Sequence, residues 1–256
     1  MALAPSHFKE YNVSNMIGNA FHVAIFAPLY NGLVFLVDIL PTHDVGIAVI
    51  ILTIIVRFIL FPLSKKAVEA QMAMKKIAPE IEVLKVKHKD NREAQSKAIF
   101  ALYKERGIQP FAGLAIVLLQ LPILIGLYWV FSNGGLPVVD TTALYSFVHP
   151  PVAVNMEFLG IINMSSRSIF LAVLSAITQF IYTRLSMGPA ATKDPSPVES
   201  SLSNDMAKSF DMQARYVLPI MIGVIAFSIS AAAPLYWTTS NLFMIAQELL
   251  SGKRFK

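Results

Sequence analysis

Apolar residues dominate five stretches of the chain, at about 45–64, 112–131, 169–186, 217–233 and 235–251. A helix rises ~1.5 Å per residue and the hydrocarbon of a bilayer is ~30 Å thick, so ~20 such residues, or somewhat fewer, suffice to cross it. The pattern predicts an all-α integral membrane protein with five transmembrane helices. The last two spans meet at a tight turn over Ala232, Ala233 and Pro234, with Tyr236 and Trp237 placed like interfacial anchors. A sixth apolar stretch, 20–39, is interrupted by Pro28, Asn31, Gly32 and Asp38. Within an extracytoplasmic segment 1–44, it reads as an amphipathic helix lying in the outer interface, a sixth span being the alternative.

Between the first two spans the pattern changes to spaced apolar positions in a charged background. Residues 64–88 carry Ala67, Ala70, Met74, Ile77, Ile81 and Leu84, interrupted by Pro79, which restarts or kinks a helix. Lys89, Asp90 and Asn91 form a turn, and 92–106 returns with Ala98, Ile99, Leu102 and Tyr103 on one face. Residues 65–106 are thus expected to form a helical hairpin. The segments 132–168 and 187–216 read as loops, the second with a short amphipathic helix near 203–212, and 252–256 as a tail.

Charge gives these elements a direction. Segment 65–106 has a net charge of +5, equal to that of the whole chain. Cationic loops stay in the cytoplasm, which places the hairpin and the basic tail Lys253–Lys256 inside and the N-terminus outside. The expected location is the cell membrane, crossed several times. Lys75, Lys76, Lys85 and Lys87 make the hairpin a candidate partner-contact surface, while attraction to anionic lipid is the plainer explanation of the same charge.

Composition narrows the chemistry. The chain is 55% hydrophobic and 14% charged, against about 25% charged in soluble domains. It has no cysteine, and its five histidines are scattered without metal-ligand spacing. No phosphate-binding glycine loop, nucleophile motif or paired carboxylates are visible, so no enzyme, cofactor, metal or specific nucleic-acid partner is expected. The first residues lack the charged start and long apolar core of a cleavable signal peptide.

One residue breaks the apolar pattern of the first span. Arg57 lies within Val45–Leu63, where a guanidinium that cannot lose its proton costs at least ~2.5–3.5 kcal/mol. Counting ~1.5 Å per residue puts Arg57 about 10 Å from the cytoplasmic end, Gln120 about 12 Å and Gln179 about 10 Å. Asn241 lies at about 15 Å by the same count, and Thr53 one turn above Arg57 on its face. Taken singly, the glutamines serve equally as interhelical links, and Thr238, Thr239 and Ser240 as donors to their own helix carbonyls. No carboxylate falls in the central part of any span, and Glu248 is placed ~5 Å from the inner face. An unpaired buried charge implies water or a visiting anionic group, so a hydrated groove open to the cytoplasm is expected.

Four motifs surround this arginine in order: IIVRFILFPLSKKAVEAQMAMKKIAPEIEVLKVKHKDN, ALYKERGIQPFAG, LLQLPILIGLYWVF and PLYWTTSNLFMIAQELL. Together they resemble the YidC-type membrane protein insertases, related to the mitochondrial oxidase-assembly and chloroplast Albino insertases, over about residues 22–252. The resemblance implies five spans around a hydrophilic groove closed toward the outside, with an extracytoplasmic amphipathic helix before the first span. It implies a groove lined by Arg57, Thr53, Gln120, Gln179, Trp237 and Asn241. It further implies nascent membrane proteins as substrates, with the ribosome, a targeting factor and the Sec translocon as candidate partners of a monomer.

On that reading a substrate's hydrophobic segment slides against spans one, three and five while its acidic tail enters the groove. Unlike larger relatives, this sequence shows no additional leading span and no large extracytoplasmic domain. Its short tail argues against ribosome binding through a long basic extension. A small anion transporter and a purely structural assembly factor each fit part of the pattern. The first lacks the expected internal repeat, and the second leaves the lone arginine unexplained.

Overall fold

The computed structural model of the chain describes residues 18–109, 111–132, 136–187 and 212–252. Segment 1–17, most of the amphipathic helix expected near 203–212 and the tail 253–256 lie outside the described residues. The described chain is mostly helical: α1 (Gly18–Ile39), α2 (Val45–Lys76), α3 (Ala78–Lys87), α4 (Arg92–Glu105), α5 (Ala112–Ser132), α6 (Ile169–Met187), α7 (Gln213–Ser228) and α8 (Ala232–Leu250). A two-stranded antiparallel ribbon, β1 (Glu157–Phe158) and β2 (Ile162–Asn163), pairs Glu157 with Asn163 and Phe158 with Ile162. Among the described residues, α1, α2 and α6 are long and apolar enough to cross a membrane.

Two prolines shape the helices without ending them. Pro28 and Pro219 each follow a π-helical turn, His22–Phe26 in α1 and Gln213–Val217 in α7. A proline has no N–H for the helical ladder, and the wider turn absorbs that gap. The stretch around Pro28 is therefore one continuous helix, although polar residues and Pro28 interrupt its apolar run. Asn31 is buried within it because both ends of its amide are used. Its Nδ2 donates to the Ala27 and Ala143 carbonyls, and its Oδ1 accepts from the Tyr145 amide.

The expected turn over Ala232–Pro234 is also displaced. α7 stops at Ser228, the chain reverses through Ile229–Ala231, and Pro234 sits in the first turn of α8. A proline fits there because the first helical N–H groups have no intrahelical acceptor.

α2 begins on Asp44, whose Oδ1 accepts from the Ile47 amide at 3.0 Å. It runs 32 residues to Lys76 without a break, about 48 Å, so its final third extends well beyond a ~30 Å hydrocarbon layer. The break falls at Ile77, and Pro79 occupies the first turn of α3. Asn91 caps α4 through the Ala94 amide, and Arg106 reaches Glu80 at 2.8 Å across the hairpin base.

Side by side, the helices follow the order α7, α6, α8, α2, α5, with α1 packed on α2 and α5. α6 approaches α7 closely where Gly223 faces Ala176, and a Cβ at position 223 would lie 3.0 Å from the alanine Cβ. Among the described residues α5 forms no packed interface with α6 or α7. The hydrophobic core sits at one end of this assembly. There Tyr30, Leu33, Val34, Val45, Val49, Met164, Leu171, Ala232 and Leu235 are buried together. The backbone closes the same end. Val45 donates to the Asn155 carbonyl, Asn155 to His43, Met164 to Met156, and Ala231 to Ser166 at 2.7 Å. Gly46 lies directly beneath Phe158: a Cβ there would fall 2.3 Å from the ring.

Candidate functional site

Below that closed end the helices separate around a cavity of about 430 Å³. Its lining follows helical periodicity on three elements. α2 contributes Arg57, Ser64 and Gln71 at intervals of seven; α8 contributes Trp237, Asn241, Met244 and Glu248; α6 contributes Gln179, Tyr182 and Ser186. α5 adds Gln120 and Leu121, and α7 adds Leu218 and Ile222. Along α8 the cavity runs from Trp237 to Glu248, about 16 Å, and on the core side it ends at the level of Arg57 and Gln120.

Arg57 is only 6% exposed. Its Nη2 donates to Gln120 Oε1 at 2.9 Å, and Gln120 Nε2 in turn donates to the Tyr236 hydroxyl. The Arg57 Nε is buried with no hydrogen-bond partner among the described residues. A guanidinium has five N–H donors and a fixed positive charge, so one neutral amide leaves both donor capacity and charge uncompensated at this point. Such a site favours water or a carboxylate.

The remaining polar groups are arranged mostly between neighbours. Asn241 donates to the Thr178 hydroxyl at 3.3 Å, joining α8 to α6, and Gln179 donates to the Thr183 hydroxyl at 3.2 Å. Ser64 donates to Gln247 Oε1 at 2.9 Å, and Ser186 to Gln71 Oε1 at 3.1 Å. Thr239 bonds the Leu235 carbonyl one turn back, whereas the hydroxyls of Thr238 and Ser240 are buried without a partner among the described residues.

Of the candidate groove residues, Arg57, Gln120, Gln179, Trp237 and Asn241 line the one cavity. Thr53 does not. It is buried, and its hydroxyl donates to the Val49 carbonyl at 2.6 Å. Of the candidate contact lysines, Lys75 donates to the Ser186 carbonyl at 2.7 Å and so belongs to α2 where it meets α6. Lys85 pairs with Glu82 on α3, while Lys76 and Lys87 are exposed.

Sequence reasoning missed Ser64, Gln71, Tyr182, Ser186 and Glu248. The seven-residue spacing from Arg57 could have found the first two, had the helix been followed past Leu63. Glu248 follows Asn241 by two turns on the same face of α8, yet it was assigned to the inner face by depth alone. It is 1% exposed and shares the cavity with Arg57.

Comparison with known proteins identifies the family of the chain. The profile of the 60Kd inner membrane protein family matches residues 36–256. A membrane protein insertase YidC of Clostridium tetani is 31% identical over 83% of this chain and 84% of its own length. One from Oceanobacillus iheyensis is 30% identical over 81% of this chain and 74% of its own. A third, from Neisseria gonorrhoeae, is 31% identical over 79% of this chain but only 32% of the longer relative. With its apolar helices, its motif order and this match over most of its length, the chain is a multi-pass membrane protein and belongs to the 60Kd inner membrane protein family, the YidC-type membrane protein insertases.

Proposed function

We propose that this protein inserts nascent membrane proteins into the bilayer, receiving their hydrophilic tails in the cavity and releasing their hydrophobic segments sideways into lipid. The observation that carries this reading is Arg57, which lines the cavity, bonds a neutral amide and keeps its Nε without a partner among the described residues. An acidic residue of a passing tail supplies the missing counter-charge, and cavity water solvates the rest. Part of the crossing then takes place in a polar path, which lowers the barrier without nucleotide hydrolysis. The membrane potential adds ~2.3 kcal/mol per acidic charge per 100 mV for movement outward.

In this reading α2, α5, α6, α7 and α8 are the five spans, the N-terminus is outside, and the hairpin α3–α4 is cytoplasmic. α1 lies at the outer interface. Its contacts support this, because Leu29 and Ile25 meet Gly126, Phe21 meets Trp129, and Gly32 meets Leu52. These contacts fall in the N-terminal part of α2 and the C-terminal part of α5. The hairpin, carrying Lys76 and Lys87, serves contact with lipid headgroups and with the ribosome, a targeting factor or the translocon. One cavity serves one substrate, so a monomer suffices.

An exit between two other helices is proposed beside the sliding surface of spans one, three and five. α2, α6 and α8 are packed on one another, whereas α5 and α7 both border the cavity without a packed interface between them among the described residues. Leu121 and Ile220 are exposed on those two helices, so the hydrophobic segment leaves between α5 and α7.

The test is insertion of a single-span substrate with an acidic tail into liposomes containing the purified protein. Arg57→Ala is expected to lower insertion about tenfold or more, the scale of losing a charge-assisted contact of ~1.5–3 kcal/mol, while Arg57→Lys retains most of it. Equal insertion by wild type and Arg57→Ala would remove the charge from the mechanism. Uptake of a radiolabelled anion without insertion would make the protein a transporter.

A further inference from the structure

A second cavity, of about 340 Å³, lies against α2 away from the candidate site. Its floor is one face of that helix, where Ala70 and Ala73 take up little room beside Lys66 and Glu69. Its far wall is the connection from α4 to α5, residues 106–109, with Arg106 at its head. Gly107 turns the chain there at φ +62, in the left-handed region. The end of α4 is closed by bonds from the Gly107 amide to the Lys104 carbonyl and from the Ile108 amide to the Tyr103 carbonyl at 2.9 Å. Two observations put this cavity at the level of a membrane boundary. Lys66 lies about 32 Å along α2 from Val45, close to one hydrocarbon thickness. Phe111 precedes the apolar run of α5 and stacks on Phe100 of α4, so the connection lies where that span begins. Above the cavity, two and three turns back on the Lys66 face of α2, stand the exposed Ile59 and Ile55. An apolar stripe open to lipid thus runs down into a charged cavity.

The charges in the lining differ in how far they are matched. Lys66 makes no hydrogen bond or ion pair among the described residues. Arg106 uses one Nη on Glu80, which leaves other N–H groups of its guanidinium to donate. Glu69 pairs only with Lys65, at 3.9 Å between exposed side chains, a contact weak enough to exchange. The first two residues match a phosphate, and the third matches an ammonium. We propose that this cavity binds one phospholipid whose headgroup carries a primary ammonium beyond its phosphate, phosphatidylethanolamine. The phosphate lies between Lys66 and Arg106, the ammonium at Glu69, and an acyl chain along Ile59 and Ile55. A headgroup without an ammonium would leave Glu69 facing a phosphate with no charge between them. Among the described residues α4 forms no packed interface with α2, so the bound lipid ties the base of the hairpin to that span. The proposal rests on α2 and α5 being spans, and not on what enters the other cavity.

Native mass spectrometry of the full chain in detergent reads the fraction that retains one lipid. Phosphatidylethanolamine and phosphatidylglycerol with the same acyl chains are offered separately at equal concentration. Wild type is expected to retain phosphatidylethanolamine about two- to fivefold better, the scale of one exposed ion pair. Glu69→Gln should remove that preference by lowering phosphatidylethanolamine alone, and Lys66→Gln should lower both lipids by a similar factor. Equal or better retention of phosphatidylglycerol by wild type, which needs no variant to fold, overturns the proposal. So does unchanged retention by Lys66→Gln, because the lipid then sits elsewhere. A Glu69→Gln variant that lowers both lipids alike overturns the pairing of the ammonium with Glu69. Displacement of the lipid by an equal concentration of inorganic phosphate would make this a free-phosphate site and overturn the lipid. Failure of wild type to insert a single-span substrate into liposomes would overturn the insertase reading and leave the lipid site standing.

Discussion

The closed end of the bundle and the cavity beneath it are built from the same helices by opposite rules. At the closed end polar groups are few and mostly matched, the buried Ser230 hydroxyl being an exception. Asp44 caps α2 through Ile47 and also accepts from the Leu159 amide at 2.9 Å, and Asn31 uses both ends of its amide. In the cavity polar groups are many and incompletely matched, with Arg57 Nε and Gln247 Nε2 lacking partners among the described residues. A buried polar atom without a partner costs roughly 1–3 kcal/mol in a dry interior. One of the two belongs to a charged group, for which that cost is higher still. The difference separates a region built for stability from the candidate site, where a charge is left without a matched partner.

The comparison breaks most readily at its stable side. Asp44→Ala removes a helix cap and a loop anchor together, so stability should fall by about 2–4 kcal/mol. Thermal unfolding in detergent reads this as a lowered midpoint, and an unchanged midpoint would deny the closed end its role. Gln120→Leu probes the other side. It takes away the partner of a buried charge, which in a dry site costs about 3–5 kcal/mol but in a hydrated one about 1 kcal/mol or less. A small shift of the midpoint together with lowered insertion of an acidic tail is expected, and a large shift would mean that the cavity is dry. The smallest effect belongs to Ser64→Ala, which removes the bond to Gln247 and should cost about 0.5 kcal/mol with insertion unchanged.

Much of the helical pattern is legible in the sequence, because hydrophobic length and proline or asparagine signals act locally. Pro79 marks the restart after α2, and Asn91 caps α4. Signals depending on context were harder to read. The helix at 20–39 is legible, but how Pro28 and Asn31 fit within it, through a π turn and the distant Ala143 carbonyl, cannot be seen locally. Pro234 was read as a turn residue, although the first turn of a helix accepts it equally well.

The cavity divides in the same way. Its charge was evident from the sequence, since an arginine among apolar residues cannot be neutral, and counting depth brought Gln120 and Gln179 near its level. Which neighbours share the cavity depends on how each helix is rotated about its axis and how far it slides along the next, and packing alone sets those two quantities. Packing turns Thr53 inward onto its own helix, carries the polar face of α2 down to Gln71, and brings Glu248 into the same space as Arg57. The sequence by itself determined a helical membrane protein with one costly positive charge. Only the tertiary structure decided that a carboxylate lies further along the same cavity.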